Sequence, residues 1–267
     1  MFNSYRIGIL HLRGGLGNQL FQLSSLAYYS AKLNFIPLIY DADLYLSDRD
    51  NNFPQYRYLK ITNWFRNNRT PRALPLKLAP LFRLLLRHIS SELVVNESFL
   101  NSADKSVDLP RLFFIRDTFE DRRYVDSLPL YSLNVTLSNL ANKVNLPLGL
   151  APVAVHIRIA GYPTLSVSQE ESLVLTIENL HKNGLAQLDV YSDSIPAITP
   201  LLSRLDFIQL NFPERARTLN PIELLFAFCN YKILICNGSS IARWGIYLSS
   251  SIQNSSIKML DDLSFYT

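Results

Sequence analysis

Residues 14–22, Gly-Gly-Leu-Gly-Asn-Gln-Leu-Phe-Gln, join a short apolar run (Ile7, Ile9, Leu10, Leu12) to a helical pattern (Leu16, Leu20, Leu23, Ala27, Ala31). A strand that feeds a glycine-rich turn and then a helix is the opening unit of an α/β sheet. It directs backbone N–H groups and the positive end of a helix dipole at one spot, which suits a phosphate. The loop does not choose its own ligand. Gly15 and Gly17 match two glycines of the dinucleotide fingerprint, but Leu20 stands where the third is needed for close helix–strand packing. Asp41, at the end of the run 35–40, is placed as that fingerprint's ribose-binding acid would be. An NAD-dependent oxidoreductase is therefore a rival to a nucleotide-sugar enzyme, and a tight turn without a ligand is the plain alternative.

The second half of the chain alternates. Strands are expected at Pro152–Arg158, Leu188–Ser192, Asp206–Leu210, Tyr231–Cys236 and Ile257–Leu260. Helices are expected at Glu171–His181, in a proline-interrupted stretch before Asp206, at Pro221–Cys229 with proline in its first turn, and at Ser240–Ser251. Such alternation implies a parallel, doubly wound sheet whose ligands gather at the carboxyl ends of the strands. The first half opens the same way with Arg6–Leu12, the loop, its helix and Phe35–Tyr40. It becomes irregular over 44–110 and resumes with Leu112–Ile115. The polar, proline-containing stretch near Asn142–Pro152 divides the chain into 1–148 and 149–267.

A chain of 267 residues, 48% hydrophobic and 18% charged, has enough apolar material for two such cores and is not disordered. Its net charge of +4 attracts phosphates or an anionic membrane surface. No basic run with interleaved aromatics marks a nucleic-acid partner. Cys229 and Cys236 flank one expected strand, too far apart for easy bridging, and read as free thiols of a reducing compartment. No signal-peptide pattern opens the chain and no run reaches the ~20 apolar residues of a spanning helix, so a cytoplasmic location is expected. Within 71–90, Leu74, Leu78, Leu81, Leu85 and Ile89 keep helical spacing while Arg72, Lys77, Arg83, Arg87 and His88 add charge. This stretch is either a helix packed on its own domain or a basic amphipathic face for peripheral membrane contact at the plasma membrane's inner face, the latter fitting a lipid-linked substrate.

Three strand ends of the second half carry chemistry. Arg158, in His156-Ile157-Arg158, offers a planar fork of donors to a diphosphate, and His156 could hydrogen-bond a base or ribose. Asp193, after Tyr191-Ser192, could accept from a base or ribose or cap the following helix. Asn237-Gly238-Ser239-Ser240 sets two hydroxyls at a helix start, where plain N-capping would account for one. Together with the glycine loop these turns favour a nucleotide-diphosphate site.

These residues resemble the bacterial α-1,2-fucosyltransferases of glycosyltransferase family 11. The likeness runs through 14–22, His156-Ile157-Arg158, Ser192-Asp193, Cys229, Asn237-Gly238-Ser239-Ser240 and Trp244-Gly245. The resemblance implies a GT-B fold of two Rossmann-like domains facing a central crevice. It also implies GDP-fucose as donor, no cofactor or metal, inversion at the anomeric carbon, and a glycan acceptor such as galactose in surface-polysaccharide or O-antigen assembly. It places Arg158 on the diphosphate, His156 and Asp193 near the guanosine, and Ser239 and Ser240 at the phosphates. Gly15, Gly17 and Asn18 would close the site from the other domain, since the resemblance makes 1–148 the acceptor side and 149–267 the nucleotide-sugar-binding domain.

Departures are equally specific. The family pattern His-x-Arg-Arg-Gly-Asp becomes His156-Ile157-Arg158-Ile159-Ala160-Gly161, without the second arginine and the acid. The Trp-rich stretch reads Ala242-Arg243-Trp244-Gly245, and a Gly-Tyr-Phe-Gln segment is reduced to Asp117-Thr118-Phe119-Glu120 with Tyr124 kept. An inverting transferase needs a general base. Glu170 and Glu171 are the nearest carboxylates, with complementing a helix dipole as their competing role. Asp41-Ala42-Asp43 is a short metal-like match read as loop or cap. An eroded, non-catalytic binder of nucleotide sugar or glycan is the second functional reading.

Overall fold

The structure, a computed structural model, describes residues 6–40, 72, 73, 84, 93–103, 109–117, 119, 122–126, 151–159, 165–213, 221–250 and 256–259. The Asp41-Ala42-Asp43 match lies outside these residues. So does nearly all of the basic stretch 71–90, and so do the proposed boundary at 148 and Gly161. The chain divides into two units, Met1–Thr136 and Leu137–Thr267.

Unit 1 holds strands β1 (Ile7–His11), β2 (Ile36–Tyr40), β3 (Arg72–Ala73), β4 (Val94–Val95) and β5 (Leu112–Ile115). They form one parallel sheet in the order β3-β2-β1-β5-β4. Helix α1 (Leu16–Leu33) follows β1 and buries Leu16, Leu20, Phe21, Leu23, Leu26 and Leu33. Leu20 is fully inside, so the position that lacks the fingerprint glycine is filled by a core side chain. A Cβ on Gly8 would lie 2.6 Å from the Phe35 ring and 2.9 Å from that of Phe113, whose mutual edge-on packing (5.1 Å) crosses the strand there. Two short helices, α2 (Glu97–Ser102) and α3 (Arg122–Asp126), complete the described part.

Unit 2 follows the expected alternation closely. Strands β6 (Val153–Ile157), β7 (Gln187–Ser192), β8 (Gln209–Asn211), β9 (Ile233–Cys236) and β10 (Ser256–Met259) form a second parallel sheet ordered β10-β9-β6-β7-β8. β6 is buried at every residue, as a central parallel strand covered on both faces must be. Val153, Val155 and Ile157 face a core built with α4 (Val167–Lys182) and α5 (Ile195–Leu202) through Leu173, Val174, Ile177, Ile198 and Leu201. On the other face His156 meets Phe228 of α6 (Pro221–Cys229), which packs on α7 (Ser240–Ser250). Both units are Rossmann-like α/β sheets, as expected. In unit 2 the chain builds outward from β6 through β7 and β8, then returns to β9 on the opposite side. The switch point therefore falls between β6 and β9.

Three element boundaries differ from expectation. α4 begins at Val167 because Ser166 and Gln169 form a reciprocal capping box, a local signal that extends the helix ahead of its apolar stripe. Asp206 lies in a turn after a short 3₁₀ segment, Ser203–Leu205, and the strand starts only at Gln209. Tyr231 stands before β9 because its hydroxyl is held inside the unit. It donates to the buried Asp189 carboxylate (2.8 Å) and meets the Tyr191 hydroxyl at 2.7 Å. Asp189 also accepts from Asn211 Nδ2 (3.1 Å) and from the Ala151 N–H (3.4 Å), so the carboxylate ties β7, β8 and the chain ends leading into β6 and β9. Burial pushes the Tyr191 phenol up to about 12 and the Tyr231 phenol higher still. Both cysteines are free, and burial raises the Cys229 thiol to about 12, far from a reactive thiolate.

A Cβ on Gly245 would sit 2.4 Å from Phe228 Cβ, where α7 crosses α6. Gly245→Ala is expected to destabilise the protein by about 1–3 kcal/mol, the usual cost of overpacking a close contact. Urea unfolding followed by circular dichroism measures it, and an unchanged midpoint would disprove the close approach.

Candidate functional site

The carboxyl edge of the unit 2 sheet is assembled by side chains that act on backbone. Asn237, just beyond β9, accepts from the Arg158 N–H through Oδ1 (2.9 Å) and donates from Nδ2 to the Arg158 carbonyl (2.8 Å). Its amide thus adds one rung across the switch point. Asp193, just beyond β7, accepts from the Ile159 N–H (2.8 Å) on the other side. Arg158 is therefore held at its own backbone and at the next residue, which sets where its side chain leaves the sheet. Capping α5, the competing role for Asp193, does not fall to it: the N-cap is Ser194, whose N–H bonds Ser192 Oγ (3.1 Å). Gly238 has φ 88, a left-handed turn between Asn237 and the two serines.

His156 and Ser239 lie behind this edge on adjacent strands. His156 is 5% exposed, packs on the Phe228 ring at 4.8 Å, and has an Nδ1 without a hydrogen-bond partner. Desolvation first, then the Arg158 charge, lower its pKa to about 4 against a smaller opposing influence of Asp193. It is a neutral imidazole at ordinary pH, enclosed rather than presented at the surface. Ser239 is fully buried, and its hydroxyl too has no partner. It stands immediately before α7, where a serine normally accepts a helix N–H, and it does not cap. The first N–H groups of α7 have no partner within the helix by geometry. Ser240 is buried in its first turn. Arg158, the two serines and the start of α7 come together around the switch point, which is what an anionic group requires.

Glu170 falls in the first turn of α4, which begins after the carboxyl end of β6, and Glu171 follows it. Glu170 pairs with Arg204 at 3.5 Å. Glu171 is exposed.

In unit 1 the glycine loop is braced by its own helix. Gln22 accepts from the Arg13 N–H (3.1 Å) and donates to its carbonyl (3.3 Å), while Gln19 Nε2 donates to the Gly14 carbonyl (2.8 Å). Gly14 has φ 79, and a Cβ there would lie 3.0 Å from Asn18 Nδ2. Asn18 Oδ1 is a buried acceptor without a partner. Gly15 is the N-cap of α1, with ordinary extended backbone and no side-chain cap, and a Cβ on it would meet nothing within 4 Å. Neither strain nor crowding calls for glycine at that position; a bare backbone facing open space suits a ligand approaching the helix start. Gly17 is buried in the first turn. Near the end of β5, Asp117 accepts from the Glu97 N–H (3.0 Å). Tyr124 bonds Glu97 and Tyr29, and Arg123 pairs with Glu97 at 3.1 Å. Phe119 is buried at φ 55 and packs against the Tyr29 and Tyr124 rings.

Sequence reasoning read Asn237 only as the first residue of a helix-start motif, and passed over Arg13 and Arg116 entirely. An asparagine before Gly-Ser-Ser is a visible signal, but its bond to Arg158 spans 79 positions. Among the described residues no group of three or more His, Cys, Asp or Glu could hold a metal, and no helix is long and apolar enough to cross a membrane.

No protein-family profile matches the chain, and no curated protein sequence does. Among solved structures it is similar to POFUT1 in complex with GDP-fucose, at 9% identity and a TM-score of 0.43 over 96% of this chain and 98% of that one. It is similar to Arabidopsis thaliana FUT1 in complex with GDP at 11% identity and 0.47, over 96% and 70%. The fucosyltransferase NodZ from Bradyrhizobium gives 12% and 0.47 over 90% and 92%.

The folded-state pKa of His156 lies near 4, below the ordinary 6.5 of an unfolded histidine. The unfolded chain thus binds the extra proton between those values. Stability is complete above pH 6.5 and falls as pH drops toward 4, by on the order of 3 kcal/mol for this group. Urea midpoints of the parent and of His156→Asn from pH 7.5 to 4.5 should converge as pH falls; parallel curves would disprove the buried neutral state.

Proposed function

We propose that the chain is an inverting glycosyltransferase that moves fucose from GDP-fucose to a sugar hydroxyl, galactose O2 in a surface glycan or O-antigen. It works in the cytoplasm without a metal or cofactor. The observation that carries the reading is the unit 2 switch point. There Arg158 is positioned by Asn237 beside a helix start whose Ser239 hydroxyl, like His156 Nδ1 behind it, is buried without a partner. Unpartnered buried polar atoms are costly unless a ligand or water satisfies them. A nucleoside diphosphate supplies acceptors for the arginine, the serines and the helix N–H groups. The particular nucleotide and sugar come from the motif resemblance.

In this reading the leaving diphosphate's charge is met by Arg158 and the α7 start. The acceptor hydroxyl's proton goes to a carboxylate of α4. Glu170 is engaged with Arg204, while Glu171 has no such partner among the described residues, which makes Glu171 the stronger candidate. The second reading, a non-catalytic nucleotide-sugar binder, is favoured by one observation: Ile159 and Gly161 replace the second arginine and the acid. The oxidoreductase reading loses its footing where Leu20 fills the core at the third glycine position.

Arg158→Ala should weaken GDP binding by roughly tenfold to a hundredfold, the loss of a charge-assisted contact of about 1.5–3 kcal/mol, with an unchanged unfolding midpoint. Arg158→Lys should rescue little, since a point charge cannot copy the fork. Calorimetric titration with GDP measures both, and parent-like affinity of the alanine variant would remove Arg158 from the site. EDTA should leave transfer unaltered; a strict Mn²⁺ or Mg²⁺ requirement would overturn the metal-free mechanism.

Glu171→Gln should keep GDP affinity and lose transfer rate, because a base acts on the barrier and not on nucleotide binding. Glu170→Gln serves as its neighbour control, and transfer to a galactose-terminated acceptor is the readout. Unimpaired transfer by both variants would exclude the pair. Clear GDP binding by a parent that transfers nothing from several GDP-sugars would establish the non-catalytic reading.

A further inference from the structure

In unit 1 the two central strands end next to one another. Its chain leaves β1 through α1 toward β2, while β5 lies on the other side of β1, paired Leu10 to Ile115. The carboxyl ends of β1 and β5 therefore lie side by side at the edge of the sheet where α/β folds carry their ligands, and beyond them α1 and α3 are joined through the Tyr29 and Tyr124 hydroxyls (2.7 Å). Arg13 follows β1 and Arg116 follows β5 directly. Neither guanidinium has an ion pair among the described residues, where Arg123 and Arg204 each have one. Arg13 is half-buried, and its backbone is fixed on both its N–H and its carbonyl by Gln22. Arg116 is anchored by its N–H to the Val95 carbonyl (3.1 Å). The two charges are close: after burial, Arg116 is the largest influence lowering the Arg13 pKa, and Asp117 is the smaller influence opposing it.

Like charges held together on fixed backbones, one of them partly desolvated and neither matched, destabilise the site until an anion enters. Asp117 offsets part of this, but it also accepts the Glu97 N–H that starts α2. Two planar forks at adjacent strand ends match the geometry of a carboxylate or phosphate. The bare Gly15 backbone opens on the same loop.

We propose that Arg13 and Arg116 form an oxyanion site on unit 1 that selects an acidic acceptor sugar, one carrying a uronate carboxylate or a phosphate. The site rests on the reading of unit 1 as the acceptor side of a transferase. It narrows the acceptor from any galactose-type sugar to a negatively charged one.

The test uses the full chain and four probes: methyl galactoside, methyl galacturonide, galactose 6-phosphate and GDP, each followed by ligand-observed NMR titration. At least one acidic sugar should bind roughly tenfold or more tightly than the neutral galactoside, the order expected for one charge-assisted contact. Stronger binding of the galacturonide identifies a carboxylate ligand, and stronger binding of the phosphate a phosphosugar. Arg13→Gln and Arg116→Gln should each abolish that preference without changing GDP affinity. Arg111→Gln, an exposed arginine at the opposite end of β5, should leave it intact. Equal binding of all three sugars by the parent would overturn the proposal. Loss of GDP affinity in Arg13→Gln or Arg116→Gln with the sugar preference retained would overturn it too, by assigning the pair to the donor diphosphate. Should an unfolding midpoint fall in a glutamine variant, Arg13→Lys and Arg116→Lys replace it; each keeps the charge and should retain part of the preference while losing the fork's share. The reading of unit 2 fails separately, through absent GDP binding in the parent.

Discussion

The side-chain amide of Asn237 holds the candidate site together. A parallel sheet leaves the last N–H and carbonyl of each strand without a rung, and at a switch point no crossover segment covers them. Asn237 supplies both a donor and an acceptor to Arg158, with Asp193 serving the next residue from the other side. The backbone of Arg158 is thereby fixed through its N–H and carbonyl, independently of the guanidinium. The same residue begins the turn through Gly238 that aims the start of α7, so the cation and the helix end share one anchor.

Polar groups inside unit 2 fall into two kinds. Asp189 is buried but surrounded by donors from Tyr231, Asn211 and Ala151; satisfied in this way, a buried carboxylate serves as a brace between strands. His156 Nδ1 and Ser239 Oγ are equally buried and have no partner. Such atoms reduce stability in the free protein. They lie behind the carboxyl edge near Arg158, so the unsatisfied polar atoms of the unit 2 sheet sit at its candidate site and the satisfied ones around Asp189 brace its strands.

Unit 1 repeats the design with different chemistry. Its helix start is uncapped, its loop is braced by Gln19 and Gln22, and its strand ends carry Arg13 and Arg116 where unit 2 carries one arginine and two serines. In both units the positive charge at the carboxyl edge comes from arginines whose backbone is fixed and from the starts of helices.

Much of unit 2 is legible in the amino-acid order because its signals are local. Buried parallel strands write short β-branched runs such as Val153–Ile157, and helices write a 3.6-residue stripe, so the elements follow from neighbours in sequence. The capping box at Ser166 and Gln169 is just as local and corrects the start of α4. The two-residue edge strands β3 and β4 are too short to show any period, which is why the first half loses its pattern. Strand order, and with it the place of the unit 2 switch point, is decided only by tertiary packing. So are the amide of Asn237 on Arg158 across 79 positions, the hydroxyl of Tyr231 on Asp189 across 42, and the pairing of β1 with β5 that sets Arg13 and Arg116 at adjacent strand ends. Periodicity reports which face of an element is buried; which element it is buried against depends on contacts between distant segments, and those exist only once both sheets have closed.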